Sequence, residues 1–395
     1  MVEETAMSSR TRAFVLSITA PVIVFALVGG VLGRAMGREE TYQHLKIFDD
    51  VVSLISSNYV EPANLEKVMK GAMNGLVDSL DADSAYLTPE QVKQFESTAP
   101  QAAGDLGLEL TRQYYLRVIA ARENSPAAKA GLRPGDYVRA INNVPTRDMS
   151  LWEGARALRG APGTKVRLTI FRGNAADPHD IELTREVVAA GDVTGRIAST
   201  GVGYVRVPSI GPRTADQLKS QIATLTREGA TRLVVDVRRT ASGTYEQGIA
   251  MARLFVARGT LAQKDVKGVA THDLIAANSG DGTITAPLVL LVDSGTAGAS
   301  ELFAAALAGN QRADLVGEHT IGRAGIQKLI KLSDGSALWL TTARYLTPSG
   351  AALHEKGLEP TVIVDLPDVE FGQPAPAGDP ALDKAIERLA EKKAA

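Results

Sequence analysis

Hydroxyl side chains cluster around one glycine in this sequence of 395 residues. Ser294, Thr296 and Ser300 flank Gly298 in the run Asp293 to Glu301, and the polar side chains Arg323, Gln327, Lys328 and Lys331 follow. A hydroxyl beside a basic group suits nucleophilic attack on a carbonyl, in which an amine left neutral by burial takes the proton of the alcohol. Arginine cannot serve as that amine, because a guanidinium keeps its proton to a pKa above about 12. Glycine offers no nucleophile. Other chemistries have less support. The histidines at 44, 179, 272, 319 and 354 contain no pair at the helical spacing of metal ligands, so no metal site is expected. Asp81 and Asp83 lack further oxygen ligands at calcium-loop spacing, and a helix-ending turn with an N-cap is their expected role. No segment resembles a nucleotide-binding loop, and no cofactor is expected. The chain has no cysteine, which excludes disulfides, thiol catalysis and cysteine-ligated zinc. A formal net charge of -2 gives no electrostatic reason to expect nucleic acid as a partner.

The two segments around Gly298 and Arg323 resemble the signature of the carboxyl-terminal processing proteases, also called tail-specific proteases. That signature reads Gly-[Ser/Thr]-Ala-Ser-Ala-Ser-Glu, with its nucleophile at the middle serine, followed by a lysine base and then a glutamine. Ala297 and Glu301 fix the register, the interval from Gly298 to Arg323 is the one in the family, and Gln327 keeps the third position. The resemblance implies that Gly298 stands where a serine would attack and Arg323 where a lysine would accept the proton. Loss of one member of such a pair costs nearly as much as loss of all, leaving at most a remnant of roughly 10³ to 10⁴ over water. The segment Leu233 to Gly243 resembles the family's strand and oxyanion turn, with Asp-Leu-Arg and then Asn-Pro-Gly-Gly. Here Thr240, Ala241 and Ser242 replace the first three residues of that turn and only Gly243 remains. Gly243 and Ala299 are the residues expected at the oxyanion site, and added side chains restrict the approach of N–H donors there. Ser300 is the alternative nucleophile if hydrolysis has moved along the turn.

These residues need a scaffold, and its parts are legible. Residues 41–100 read as mainly helical, with apolar residues at helical spacing from Leu45 to Ile55 and from Leu65 to Leu80, broken at Asn58 to Pro62. Residues 101–187 resemble a PDZ domain, in which Leu106, Gly107 and Leu108 form the loop that receives a peptide C-terminus and Ser125 to Asp136 the helix and turn that follow. Successive N–H groups at Leu106 to Leu108 would form a nest for a terminal carboxylate, while the peptide adds a strand alongside Leu108 to Leu110. Arg159, in Leu-Arg-Gly-x-x-Gly, is a candidate for a charged contact that reports peptide occupancy to the neighbouring domain, the alternative being an exposed loop arginine. Residues 191–368 read as an α/β core. Strands are expected at Gly203–Val207, Arg232–Val237, Pro287–Val292 and Ala313–Gly317, and helices at Thr214–Glu228, Tyr245–Arg258 and Ser300–Ala308. The resemblance implies a core of the ClpP and crotonase type. An amphipathic helix closes the chain within 377–395.

Location is read from the N-terminus. Residues 1–12 are expected as a short cytoplasmic tail, and residues 13–33 are apolar and free of charge, about 31 Å long as a helix and so sufficient to cross a bilayer. A single-pass anchor or export signal is expected, with the bulk of the chain outside the cytoplasm, on the periplasmic side in a Gram-negative cell. The expected fold is therefore an N-terminal transmembrane helix, a helical region, a PDZ domain and an α/β protease-like core. The expected function is that of a membrane-anchored pseudopeptidase that binds polypeptide C-termini or a protease relative without cutting them. The runner-up is an active processing peptidase that uses Ser300. Candidate partners are polypeptide C-termini, an active relative, an envelope complex or a homo- or hetero-oligomer.

Overall fold

The computed structural model describes residues 43–97, 103–173, 178–365, 369–371, 373 and 378–391. Two units divide the chain after Ala72. In the first, helix α1 (43–58) ends where Ser57 and Asn58 turn their side chains back onto the carbonyls of Ser53 and Leu54, at 2.8 and 3.0 Å. Pro62 lies shortly beyond, and a proline removes the N–H that a continuing helix needs. Helix α2 (Leu65–Asp78) begins at Asn64, whose side-chain oxygen accepts from Lys67 N–H at 3.0 Å. That bond satisfies one of the orphan donors of a first turn.

The expected transmembrane helix is not supported. Crossing hydrocarbon takes about 20 apolar residues in one helix, and among the described residues no helix is long and apolar enough to do so. Residues 1–12 and 13–33, on which the tail and the anchor were expected, lie outside the described residues.

The division falls within α2, and in the second unit that helix is followed by a turn closed by Asp81, whose carboxylate accepts from the N–H of Asp83 at 2.9 Å and of Ser84 at 2.6 Å. A short strand, β1 (Ala85–Leu87), follows in a region expected to be helical. Thr88 and Gln91 then form a capping box that starts α3 (Pro89–Phe95). The PDZ sheet comprises β2 (Leu108–Gln113), β3 (Tyr115–Ala121), β4 (Tyr137–Ile141), β5 (Val144–Pro145), β6 (Lys165–Phe171) and β7 (His179–Thr184), in the order β2-β3-β4-β6-β7 with β5 on β4. Strand β6 alternates as expected. Val166, Leu168 and Ile170 face a core shared with Leu116, Val118 and Leu158. Helix α4 (Pro126–Lys129) is capped by Ser125, and α5 (Leu151–Leu158) by a Ser150–Glu153 capping box.

The core follows with β8 (Thr194–Ser199), β9 (Val202–Arg206), α6 (Thr214–Arg227), β10 (Arg232–Asp236), α7 (Tyr245–Arg253), β11 (Thr260–Val266), β12 (Asp273–Ala276), β13 (Leu288–Val292), α8 (Ala299–Gly309), β14 (Ala313–Gly317), β15 (Gly325–Lys331), β16 (Ala337–Leu346), β17 (Val362–Ile363) and α9 (Pro380–Glu391). Its main sheet runs β17-β14-β13-β10-β9-β8. Strands β9, β10, β13, β14 and β17 are parallel to their neighbours, and β8 is antiparallel. Both faces are covered, which explains the continuous apolar strands. Leu233, Val235, Leu290 and Val292 join the cluster of α6, α7 and α8, while Val234, Val289 and Leu291 pack with Leu382, Ala385 and Leu389 of α9. A second, antiparallel sheet has the order β1-β16-β11-β12, with β15 on β16. Helix α7 stops at Arg253 rather than Arg258. The N–H groups of Phe255 and Val256 both turn onto the Ala252 carbonyl, and both side chains are buried.

Because β10 and β13 are adjacent and parallel, the turns that leave their carboxyl ends lie side by side. Open α/β sheets place ligands at such ends. One turn runs from Val237 to Gly243 and the other from Asp293 to Gly298.

Candidate active site

Strand β13 leads through a tight turn straight into α8, with Gly298 as the N-cap residue. Its backbone stands at φ 65° and ψ -119°. A side chain is strained there by of order 1–3 kcal/mol, and such strain collects at catalytic elbows between strand and helix. Glycine avoids that strain and carries no nucleophilic side chain. The space is open: beyond its chain neighbours, a Cβ built at 298 would meet only the carbonyl oxygen of Ala241, 3.9 Å away. That oxygen is an acceptor. An oxyanion needs donors at such a place.

The turn after β10 explains why a carbonyl points there. Thr240 is fully buried, and its hydroxyl donates to the Val207 carbonyl at 2.7 Å. Its own carbonyl accepts from Ala297 N–H at 3.1 Å and from the Ser300 hydroxyl. Ser242 accepts from Ile210 N–H at 3.2 Å. Side chains thus fix a turn that glycines would leave open. Gly243, at φ 99°, has no room for a Cβ, which would lie 2.7 Å from the Ile210 carbonyl. Ala299 opens α8 and is buried, and the N–H groups of a first helical turn have no partner within the helix.

Ser300 does not reach the cleft. It is fully buried at the second position of α8, where its hydroxyl binds the carbonyls of Thr240 and Ala297 and accepts from Ala297 N–H at 3.1 Å. It ties the helix start to the neighbouring turn instead of capping it. Thr296 is equally enclosed and donates to Val237, while Ser294 is half-buried beside Glu318. Lys328 is exposed, and Lys331 pairs with Glu96 at 2.7 Å.

Glu301 brings the positions of Gly298 and Arg323 together. Its buried carboxyl accepts from Thr320 hydroxyl, Gly322 N–H at 2.7 Å, Arg323 N–H at 2.8 Å and Gly298 N–H. Burial pushes its pKa up to about 7 against those four donors. Arg323 then turns its guanidinium to the buried Asp83, with Nε 3.3 Å from the carboxylate. Tyr245, whose phenol is pushed up by burial and stays a donor, holds the carbonyls of Arg323 and Gly325 at 3.2 and 2.9 Å. Gln327 donates to Thr341 at 3.1 Å. Sequence reasoning missed Tyr245 and gave Asp83 no part in this site. Asp83 sits in a turn motif whose local bonds mask its reach to Arg323. Among the described residues no acidic and histidine group is placed to hold a metal ion.

Arg323 also reaches the PDZ domain. It lines a cleft of about 80 Å³ between β2 and α5, together with Glu109, Arg122 and Arg159. Burial raises the pKa of Glu109, and Arg323 is the strongest charge opposing that rise. A second link passes through Arg206, which bonds Glu123 of the PDZ domain at 2.7 Å and the Thr240 hydroxyl at 3.3 Å. At the end of the same cleft, the N–H groups of Leu106 and Gly107 already donate to the Asp105 carboxylate, at 2.7 and 3.2 Å. The expected nest for a terminal carboxylate therefore has an occupant from its own chain.

Comparison with known proteins gives the wider frame. A model of peptidase family S41 matches residues 201–364, and a PDZ-domain model matches residues 117–172. The carboxy-terminal processing protease CtpA of Bacillus subtilis is 29% identical over 370 residues, covering 92% of this chain and 79% of that protein. The carboxy-terminal-processing protease of Bartonella bacilliformis is 31% identical over 336 residues, covering 83% and 77%. Among solved structures, a photosystem II D1 C-terminal processing protease superposes with a TM-score of 0.67 at 29% identity, over 79% of this chain and 86% of that one.

Proposed function

We propose that this chain, which belongs to the C-terminal processing proteases of peptidase family S41, is a pseudopeptidase that holds extended polypeptide tails without hydrolysing them. The observation that carries the reading is Gly298: the elbow that would present a nucleophile is formed, with room for a side chain, and bears none. Three further features support it. The side chain at the base position is an arginine engaged with Asp83. Across the space from the vacant position, on the turn after β10, stands the carbonyl oxygen of Ala241, an acceptor. Ser300, the alternative alcohol, is enclosed and bonded.

Binding needs none of these lost groups. A PDZ sheet edge at β2 offers its backbone to an added strand, and Leu108, Leu110 and Leu151 give the cleft an apolar wall. The tail would lie there with its remainder passing over the elbow at Gly298. Incubating the purified chain with unstructured tails ending in apolar residues, beside the double variant Gly298→Ser and Arg323→Lys, tests the reading by mass spectrometry. No hydrolysis by the unaltered chain is the expected result, and specific cleavage by it would overturn the reading. If the double variant is also silent, the turn from Thr240 to Gly243 is the remaining block.

A further inference from the structure

The carboxylate loop of the PDZ domain carries a second departure, independent of the vacant elbow. Three donors converge on one carboxylate: Leu106 N–H at 2.7 Å, Gly107 N–H at 3.2 Å and the Arg122 guanidinium at 2.5 Å all reach Asp105. The loop that holds it is tied back to the domain by backbone bonds. Its carbonyls at Leu106 and Gly107 are taken by the N–H groups of Ala127 and Arg122, at 3.1 and 2.8 Å. Gly107 stands at φ 75°, and a Cβ there would lie 2.3 Å from the Ser125 Cβ. Backbone N–H pairs of this kind, backed by a cation, form an anion site, and here the anion is covalently part of the loop.

We propose that Asp105 is a built-in surrogate for the terminal carboxylate of a ligand and sets the specificity of the groove. With the anion site filled, the groove takes an extended segment through strand hydrogen bonds and its Leu108, Leu110 and Leu151 wall. A free C-terminal carboxylate gains nothing there. The donors that would bind it are already used by Asp105, so the groove does not distinguish a free acid from an amide. The size of the cleft agrees. About 80 Å³ is open beside Asp105, well under the roughly 300–1,000 Å³ of a pocket that encloses a small ligand, so the ligand is a strand laid along the edge of β2. This inference rests on the reading of the chain as a tail-binding protein and names what part of the tail is read.

The test uses the full chain and a fluorescently labelled decapeptide of unstructured sequence ending in leucine, prepared as free acid and as amide. The unaltered protein is expected to bind the two forms within about twofold, and Asp105→Gly to prefer the free acid by about tenfold or more. Asp105→Asn, which keeps an acceptor for the loop and loses the charge, is expected to fall between them and guards against a glycine variant that fails to fold. A tenfold preference for the free acid in the unaltered protein would overturn the proposal, as would an unchanged ratio in both folded variants. Each of those results leaves tail binding itself intact. Absence of binding to either form by the unaltered protein and both folded variants would instead remove the tail-binding reading on which the proposal rests.

Discussion

Glu301 should make the stability of the core fall as pH rises through neutrality, and replacing it with glutamine should remove that fall. The carboxyl is fully buried, and burial lifts its pKa from 4.5 to about 7. The folded chain therefore holds this proton more tightly than the unfolded chain does. Stabilisation from the protonated form is complete below pH 4.5 and is lost as pH rises through 7, because unfolding then releases a proton. At about 1.4 kcal/mol for each pH unit between the two values, the loss amounts to about 3 kcal/mol. A glutamine has no proton to release, so the stability of Glu301→Gln minus that of the unaltered protein should rise by about 3 kcal/mol between pH 4.5 and pH 7.5. Other titrating groups cancel in the difference. Urea unfolding at constant ionic strength, followed by the fluorescence of Trp339 in a Trp152→Phe background, gives the quantity directly. A difference that is flat with pH, or that falls, would refute the reasoning. It would mean that Thr320 and the N–H groups of Gly298, Gly322 and Arg323 outweigh burial and keep the carboxylate ionised.

Two further substitutions test the vacant elbow. Gly298→Ser should fold, with a loss of roughly 1–3 kcal/mol in urea from the strained backbone alone, since beyond its chain neighbours a Cβ there meets only the Ala241 carbonyl oxygen, at 3.9 Å; a failure to fold would show that the space is closed. Ser300→Ala should cost roughly 1–2 kcal/mol through the lost bonds to Thr240 and Ala297, and should leave any turnover of tail peptides unchanged. Abolition of a measurable turnover by that variant would instead mark Ser300 as a nucleophile.

Much of the scaffold was legible because burial on both faces imposes a simple pattern. The run Leu288 to Val292 is apolar at every position, since alternate residues serve α8 and α9, and Ala313–Gly317 was placed with its bounds intact. Strand β15 was missed. Its residues Gln327, Lys328 and Lys331 interrupt the apolar pattern of an exposed sheet, and its pairing with β16 is a tertiary fact. In the site, the changes at 298, 323 and 240–242 could be read by residue type, because each removes a group that the chemistry requires. Their consequences could not. The carbonyl of Ala241 facing the elbow depends on Thr240 and Ser242 anchoring to Val207 and Ile210, more than thirty positions away. The reach of Arg323 to Asp83 and into the PDZ cleft crosses some two hundred residues of sequence. Asp105 is adjacent to a loop singled out by its sequence, but its bonds to the Leu106 and Gly107 N–H groups are visible only in the folded chain.

The central claim is binding without hydrolysis, and it is tested most directly by following one tail in one sample. A labelled tail peptide would be mixed with the unaltered protein, its bound fraction measured by anisotropy over a day, and the mass of the bound peptide read at the end. A stable bound fraction, in which the peptide keeps its full mass, is the expected result. A falling anisotropy accompanied by fragments cut at one position would contradict it.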